Sequence, residues 1–414
     1  MVATRCGRPT AEPRKREYRD VVDIAHRSTS NPASKDAAKP RARNLGDTPL
    51  IPLAAVDPGQ WQALSERTIE PNGYYLPGWE GAVSASARSR TGALALCASD
   101  ASSRLIGLLP VVPLWRAYGI PLPALVSADP YGTLSSPPLD HDAAHDAAVQ
   151  LLARARATGA RALLLRDVAL DGAAMKAVTN ALDRDGLTPR VQNAHVRAEL
   201  DATRDGETLL REAIGAKKLK ELRRQRHRLG EHGAVTFEIA RTPDEAASAL
   251  ETFLWLEASG WKGKRGTALI QHDGDASFIR RAVRALAEAR QCEIVTLRAG
   301  TTPVAAGIVL RHHDRAFFFK LGVDEHFARY SPGVQLTLEL TRHLCADPAI
   351  TSADSTANAD HPMINPIWRG RIAIGDVLLP LRRNDPVVTL IHVALLARSS
   401  ARNAARRVVR LIRR

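Results

Sequence analysis

FFFKLGVDEHFARYSPGVQL, Phe317 to Leu336, joins a run of strand formers to a charged turn and then to a helix start. Ser331 stands where an N-cap belongs, and Pro332 takes the first helical position, where its missing N–H costs nothing. Gly333 leaves the next backbone amides uncovered. Orphan N–H groups and the helix dipole both favour an anion at such a point. The stretch therefore reads as strand–turn–helix with room for a phosphate-type ligand. The plainer alternative is an ordinary capped helix.

Working outward, the same α/β texture continues on both sides. Upstream come a strand at Val235–Ile239, helices at 243–258 and 274–290, and strands at Glu293–Leu297, Val304–Arg311 and Arg315–Val323. The turns Ala299-Gly300-Thr301-Thr302 and His312-His313-Asp314 suit an antiparallel meander. Downstream come helix 332–346, a strand at 349–354, a short helix near 362–368 and a strand at 373–381. The first half reads as mixed α/β as well. A helix opens at Asp57–Trp61, strands lie at Leu94–Cys97 and Arg104–Pro113, and a helix covers about 142–157. Strands at Ala162–Leu165 and Val191–Leu200 flank a helix at 171–184. Between the halves, Ala213 to Glu231 is a basic helix with a narrow apolar stripe, Leu219, Leu222 and Leu229.

At 414 residues the chain is long enough for two domains plus tails. Four separated cysteines, Cys6, Cys97, Cys292 and Cys345, read as reduced thiols or small core residues, consistent with a cytoplasmic location. No apolar leader and no membrane-spanning run is visible. The net charge of +14 sits mainly at the ends. Residues 1–47 hold 11 Lys/Arg against 6 Asp/Glu and residues 384–414 hold 7 Arg against 1 Asp, which leaves +3 for 48–383. Basicity thus does not require nucleic-acid binding. Residues 1–47 read as a disordered basic tail, and 387–414 as a basic amphipathic helix able to touch an anionic membrane surface, or equally as a frayed tail with no partner. HExxH, Cys/His sets, GxSxG and GxxxxGK[ST] are absent, so a metal is not expected.

Three stretches, WLEASGWKGKRGT (255–267), KLGVDEHFARYSPGVQL (320–336) and DSTANADHPMINPIWRGRIAIGD (354–376), resemble the CelD-type branch of the GNAT acyltransferase superfamily. That branch is associated with cellulose biosynthesis and is also called BioF-like. KKLKELRRQRHRLG (217–230) resembles its basic segment, and 105–113 with Asp129-Pro130-Tyr131-Gly132 resembles a degenerate first GNAT unit. The likeness spans about 48–383 and shares a tandem architecture with the FemABX transferases. It implies two tandem GNAT-like α/β units: 48–205 as a degenerate unit and 206–383 as the active one, including basic helix 213–231, followed by the tail helix 384–414. The implied donor is acetyl-CoA. The implied acceptor is an amine or hydroxyl on a polysaccharide, its precursor or a related small molecule.

On that resemblance Arg329, Ser331, Gly333, Val334 and Gln335 would hold the pyrophosphate of coenzyme A. The small residues of the usual GNAT signature are here replaced by Pro332 and Val334. Lys320, Asp324 and Glu325 flank the acyl-carrying strand, where a carboxylate can accept a proton and Lys320 can polarise a carbonyl; the alternative is a surface turn with a Lys–carboxylate pair. Asp354 and His361 form a candidate pair that would set the imidazole tautomer, against a capping Asp354 and a structural His361. Trp261 and Lys262, with Trp368 and Arg371, are candidate substrate contacts, Trp261 being otherwise a core anchor. The rival expectations are a FemABX-like transferase using aminoacyl-tRNA gripped by helix 217–228, and a non-catalytic scaffold of a polysaccharide assembly.

Overall fold

The structure, a computed structural model, describes residues 48–412; the tail expected over 1–47 lies outside them. Twelve strands form one sheet: β1 (Ile51–Pro52), β2 (Leu94–Ser99), β3 (Leu105–Pro113), β4 (Ala124–Ser127), β5 (Ala162–Ala169), β6 (Arg190–Asp201), β7 (Val235–Ala240), β8 (Cys292–Ala299), β9 (Thr302–His312), β10 (Arg315–Val323), β11 (Ser352–Asp354) and β12 (Gly370–Pro380). Their order is β1-β2-β3-β4-β5-β12-β6-β11-β10-β9-β8-β7.

Counted from either edge, the pattern is the same. β1 to β4 and β7 to β10 are antiparallel meanders, and β4/β5 and β10/β11 are parallel pairs. The sixth strands are exchanged. β12 pairs with β5, β6 pairs with β11, and β6 and β12 pair with each other antiparallel at the centre. The fold is two tandem GNAT-like units whose last strands cross over, so one continuous sheet serves both.

Local sequence explains the elements. Buried on both faces, β9 reads as a nearly unbroken apolar run from Val304 to Leu310. Its Gly307 leaves space for the Phe318 ring, 2.7 Å from where a Cβ would stand. Helix Pro243–Ser259 starts with a capping box, Thr242 and Glu245, and with proline in its first turn. The basic helix runs Gly206–Leu229 and bends at Gly215, whose φ of 76° only glycine adopts freely; Leu219, Leu222 and Leu229 are buried as its stripe predicts. The helix expected near 362–368 is a string of turns. Within the proline-rich stretch, Ala124–Ser127 forms the unpredicted strand β4.

Helices cover both faces. In the second unit, helices Pro243–Ser259 and Asp273–Glu288 enclose one core, and Gly206–Leu229 with Pro332–Ala346 enclose the other. The first unit contributes to the former core: Tyr74, Leu76, Trp79 and Leu134 are fully buried in it. The Trp79 indole N–H donates to the Pro130 carbonyl at 2.6 Å. The halves are therefore joined by packing as well as by strand exchange.

Candidate active site

β10 and β11 pair only over Arg315–Phe317 and Ser352–Asp354, and then they diverge. The Thr356 hydroxyl closes the neck by donating to the Phe318 carbonyl at 2.7 Å. Beyond it lies an open cleft of about 690 Å³. Its walls are β10 from Phe318 to Val323, the helix start Ser331–Val334, residues 355–358, and His361 with Met363 and Ile364. Trp261, Lys262 and Glu325 stand at one side, and Thr133 reaches in from the first unit.

The helix start at the cleft has the expected chain path with an unexpected cap. Ser331 occupies the N-cap position in a left-handed conformation (φ 52°), and its side chain makes no capping hydrogen bond. The first amide to find an intrahelical-type partner is that of Gln335, donating to the Ser331 carbonyl at 3.0 Å. With Pro332 lacking an N–H, the amides of Gly333 and Val334 are the orphan donors of this turn. Gly333 fits closely: a Cβ there would stand 3.0 Å from the Leu321 side chain and 3.2 Å from that of Val323, so both would have to give by a few tenths of an ångström.

Gln335 and Arg329 do not face the cleft. The Gln335 side chain is buried and donates to the Leu222 carbonyl at 2.8 Å, fastening the basic helix. Arg329 is exposed and lies over the Tyr330 ring, 4.7 Å from its centroid. The expected anion contacts therefore reduce to the Ser331–Val334 backbone.

Lys320 turns to a residue that the motif reading passed over. Its Nζ donates to Glu257 Oε1 at 3.1 Å, and Lys262 Nζ donates to the same oxygen at 3.2 Å. Glu257 Oε2 accepts from the Leu269 amide at 2.9 Å, and its side chain is fully buried. Burial alone would raise the Glu257 carboxyl, but Lys320, Lys262 and the amide outweigh it and hold it below its usual value. Loss of water pulls the Lys320 ammonium down, and Glu257 only partly restores it. A sequence signal existed: Leu250, Phe253, Leu254 and Glu257 share the i, i+3, i+4, i+7 spacing of one buried stripe. A carboxylate on that stripe must meet a cation.

The two other carboxylates on this turn are engaged locally. Asp324 caps the turn, accepting from the His326 amide at 2.9 Å and from its Nδ1 at 2.8 Å. Glu325 accepts from Lys264 Nζ at 2.7 Å, and that bond holds its carboxyl below the usual range.

The Asp354–His361 pair does not form. Asp354 is fully buried and held by both arms of Arg197, with Nε at 2.7 Å from Oδ1. It also accepts from the Thr356 amide at 2.8 Å, while Arg197 donates to the Thr133 hydroxyl at 2.9 Å. This bidentate pair pins the neck of the cleft between the units. A twelve-strand sheet with exchanged strands brings Arg197 of β6 to β11, a contact without local signature. His361 stands on the cleft wall, half-buried, with burial lowering its imidazole pKa. Trp368 is fully buried, donating to the Thr341 hydroxyl at 2.9 Å, and Arg371 is exposed and donates to the Trp368 carbonyl at 2.8 Å. Neither reaches the cleft; Trp261, half-exposed, and Lys262 do.

Comparison with known proteins agrees with this architecture. Residues 216–361 match the family model described as an acetyltransferase (GNAT) domain. That range covers the basic helix from residue 216 onward, β7 to β11 and most of the cleft wall. No curated protein sequence matches the chain. Among solved structures, FemX aligns at 12% identity over 81% of this chain and 98% of its own, with a TM-score of 0.53. The C-terminal domain of a putative lysylphosphatidylglycerol synthetase from Agrobacterium fabrum aligns at 12% identity over 82% and 95%, with a TM-score of 0.50. At such identity these likenesses concern the fold. No helix among the described residues is long and apolar enough to cross a membrane. Residues 216–361 thus match a GNAT acetyltransferase domain and lie in a sheet whose two halves share one strand pattern.

Proposed function

We propose that the protein transfers an acyl group, acetyl in the simplest case, from coenzyme A to an amine or hydroxyl of a polysaccharide, its precursor or a related small acceptor. The observation that carries this reading is the open splay of β10 and β11, which ends at the uncapped amides of Gly333 and Val334. These amides are the group that would hold the pyrophosphate, and the apolar cleft wall of Phe318, Leu321, Val323, Met363 and Ile364 fits a pantetheine arm. The donor supplies an activated thioester; the protein's work is positioning and charge stabilisation. The Leu321 carbonyl accepts from Lys262 at 3.1 Å, so the peptide edge of Leu321 faces the cleft and its amide can meet a thioester carbonyl. His361, neutral near pH 7, is the proton acceptor in this reading. Lys320 and Lys262, bound to Glu257, set the polarity of the acceptor side. The text of 255–267, 320–336 and 354–376 supports membership of the CelD-type branch, with a cytoplasmic site and peripheral contact with an anionic membrane through 387–414.

Calorimetric titration with acetyl-CoA tests the reading. Wild type is expected to bind, and Gly333→Asp, which places bulk and negative charge at the turn, to weaken binding by more than about tenfold. Absence of heat and of thermal stabilisation in wild type at millimolar ligand would refute it.

One observation favours aminoacyl-tRNA as donor instead. Lys217, Lys220, Arg224 and Arg228 recur at i, i+3, i+7 and i+11 along one face of the basic helix, all exposed. Among the described residues none of the four has an ion pair, whereas Lys218, Arg223 and Arg226 each have one. Such a row suits a phosphate backbone. RNA binding that weakens steeply with salt, together with silence toward acetyl-CoA, would select this alternative.

A further inference from the structure

A second cleft, of about 640 Å³, opens at the root of helix Pro386–Ile412. It lies between Gly186–Thr188, Arg190 at the start of β6, and residues 382–389. Its wall carries one carboxylate, Asp385, which is bound by Arg161 at 2.8 Å. Arg383 donates to the Asp185 carbonyl. Arg190 and Arg382 also line the cleft, and among the described residues neither has an ion pair or a side-chain hydrogen bond. The site thus offers two uncompensated guanidinium groups to an anion.

The helix that rises from this cleft is apolar on two sides. Val388, Ile391 and Leu395 are buried against Leu114, Val126 and Leu164. On the outward side Leu390 and Val393 are each 54% exposed and Leu396 is 44% exposed. Pro386 and Thr389 border the cleft, and Leu390 and Val393 follow them one turn on, at i+4. The open stripe therefore begins at the arginine cleft. Trp115, 62% exposed, belongs to helix Leu114–Tyr118, which packs against the same helix. Residues 384–414 carry seven Arg against one Asp.

We propose that this face seats on an anionic phospholipid surface, the cleft between Arg190 and Arg382 taking a headgroup phosphate while Leu390, Val393 and Leu396 enter the acyl boundary. Guanidinium groups adjoining an outward apolar stripe match the layering of phosphate over hydrocarbon. A nucleic acid would leave the leucines in water, and a second copy of the chain would set two basic faces together. The inference deepens the membrane contact named above and is independent of the identity of the acyl donor.

Vesicle co-sedimentation of the full chain tests it. Wild type is expected to sediment with phosphatidylcholine vesicles containing phosphatidylglycerol and to remain in solution with phosphatidylcholine alone. Removing both cleft arginines, Arg190→Ala with Arg382→Ala, is expected to weaken binding roughly thirtyfold, about fivefold for each charge. Leu390→Ser with Val393→Ser should abolish sedimentation while leaving the unfolding midpoint and acetyl-CoA binding unchanged. Equal sedimentation of wild type and the arginine variant would overturn the headgroup site. Stabilisation by millimolar glycerol 1-phosphate without vesicle binding would assign the cleft to a soluble phosphate ester and overturn the lipid occupant. Self-association that hides the stripe in the absence of vesicles would overturn it equally.

Discussion

The two parallel pairs of the sheet, β4/β5 and β10/β11, occupy equivalent places and have opposite fates. In the first unit the pairing of Ala124–Val126 with Ala162–Leu164 is followed by residues 128–143, which fold back into the gap. The Ser127 hydroxyl accepts from the Arg166 amide at 2.9 Å, and the Ser135 amide donates to the Asp167 carbonyl at 3.1 Å. Leu134, Ser135 and Ser136 are buried beside the strand. In the second unit the connection is 324–331, half as long, and turns straight into its helix. No equivalent of the folded-back segment exists there among the described residues, and the splay is open. Connection length, more than strand geometry, separates the sealed unit from the one with a cleft.

The largest expected effect comes from the charged wall of the open unit. Glu257→Leu leaves Lys320 and Lys262 without their shared carboxylate, and the loss should be about 3–5 kcal/mol in urea unfolding. A loss below about 1 kcal/mol would mean that both ammonium groups reach water and that the wall is not closed. Leu134→Ala probes the sealed unit. Truncating a fully buried side chain there should cost about 3 kcal/mol and leave acetyl-CoA affinity unchanged; altered affinity would show that the plug also supports the second cleft.

Acid probes the seam between the units. His312, at the end of β9, accepts from the Asn72 amide at 2.8 Å and donates to the Ser65 carbonyl at 2.8 Å. Burial, with His313 adding to it, lowers its pKa to about 4. The unfolded chain takes up this proton first, near pH 6.5. The contribution is therefore complete above pH 6.5 and is lost as pH falls toward 4, by at most about 3 kcal/mol. A His312→Gln variant should flatten that part of the stability profile, measured by urea midpoints from pH 7 to pH 4. An unchanged slope would locate the acid sensitivity elsewhere.

Local chemistry already made much of this legible. Runs of strand formers such as Arg315–Val323, the capping box at Thr242, and Pro332 followed by Gly333 each name their element, because the cause lies within a few residues. The cleft's backbone wall was legible for the same reason. Side-chain partnerships were not. Asp354 and His361 stand close in sequence, yet Arg197 from a strand of the other unit takes the carboxylate. Gln335 and Trp368, polar and aromatic residues beside a promising loop, turn into the interior. Glu257 announced itself only as a charge on an apolar stripe. A short-range pattern sets strands, caps and turns, since their energies are local. That Asp354 meets Arg197, 157 residues away in sequence, depends on strands that become neighbours only when β6 and β12 exchange places.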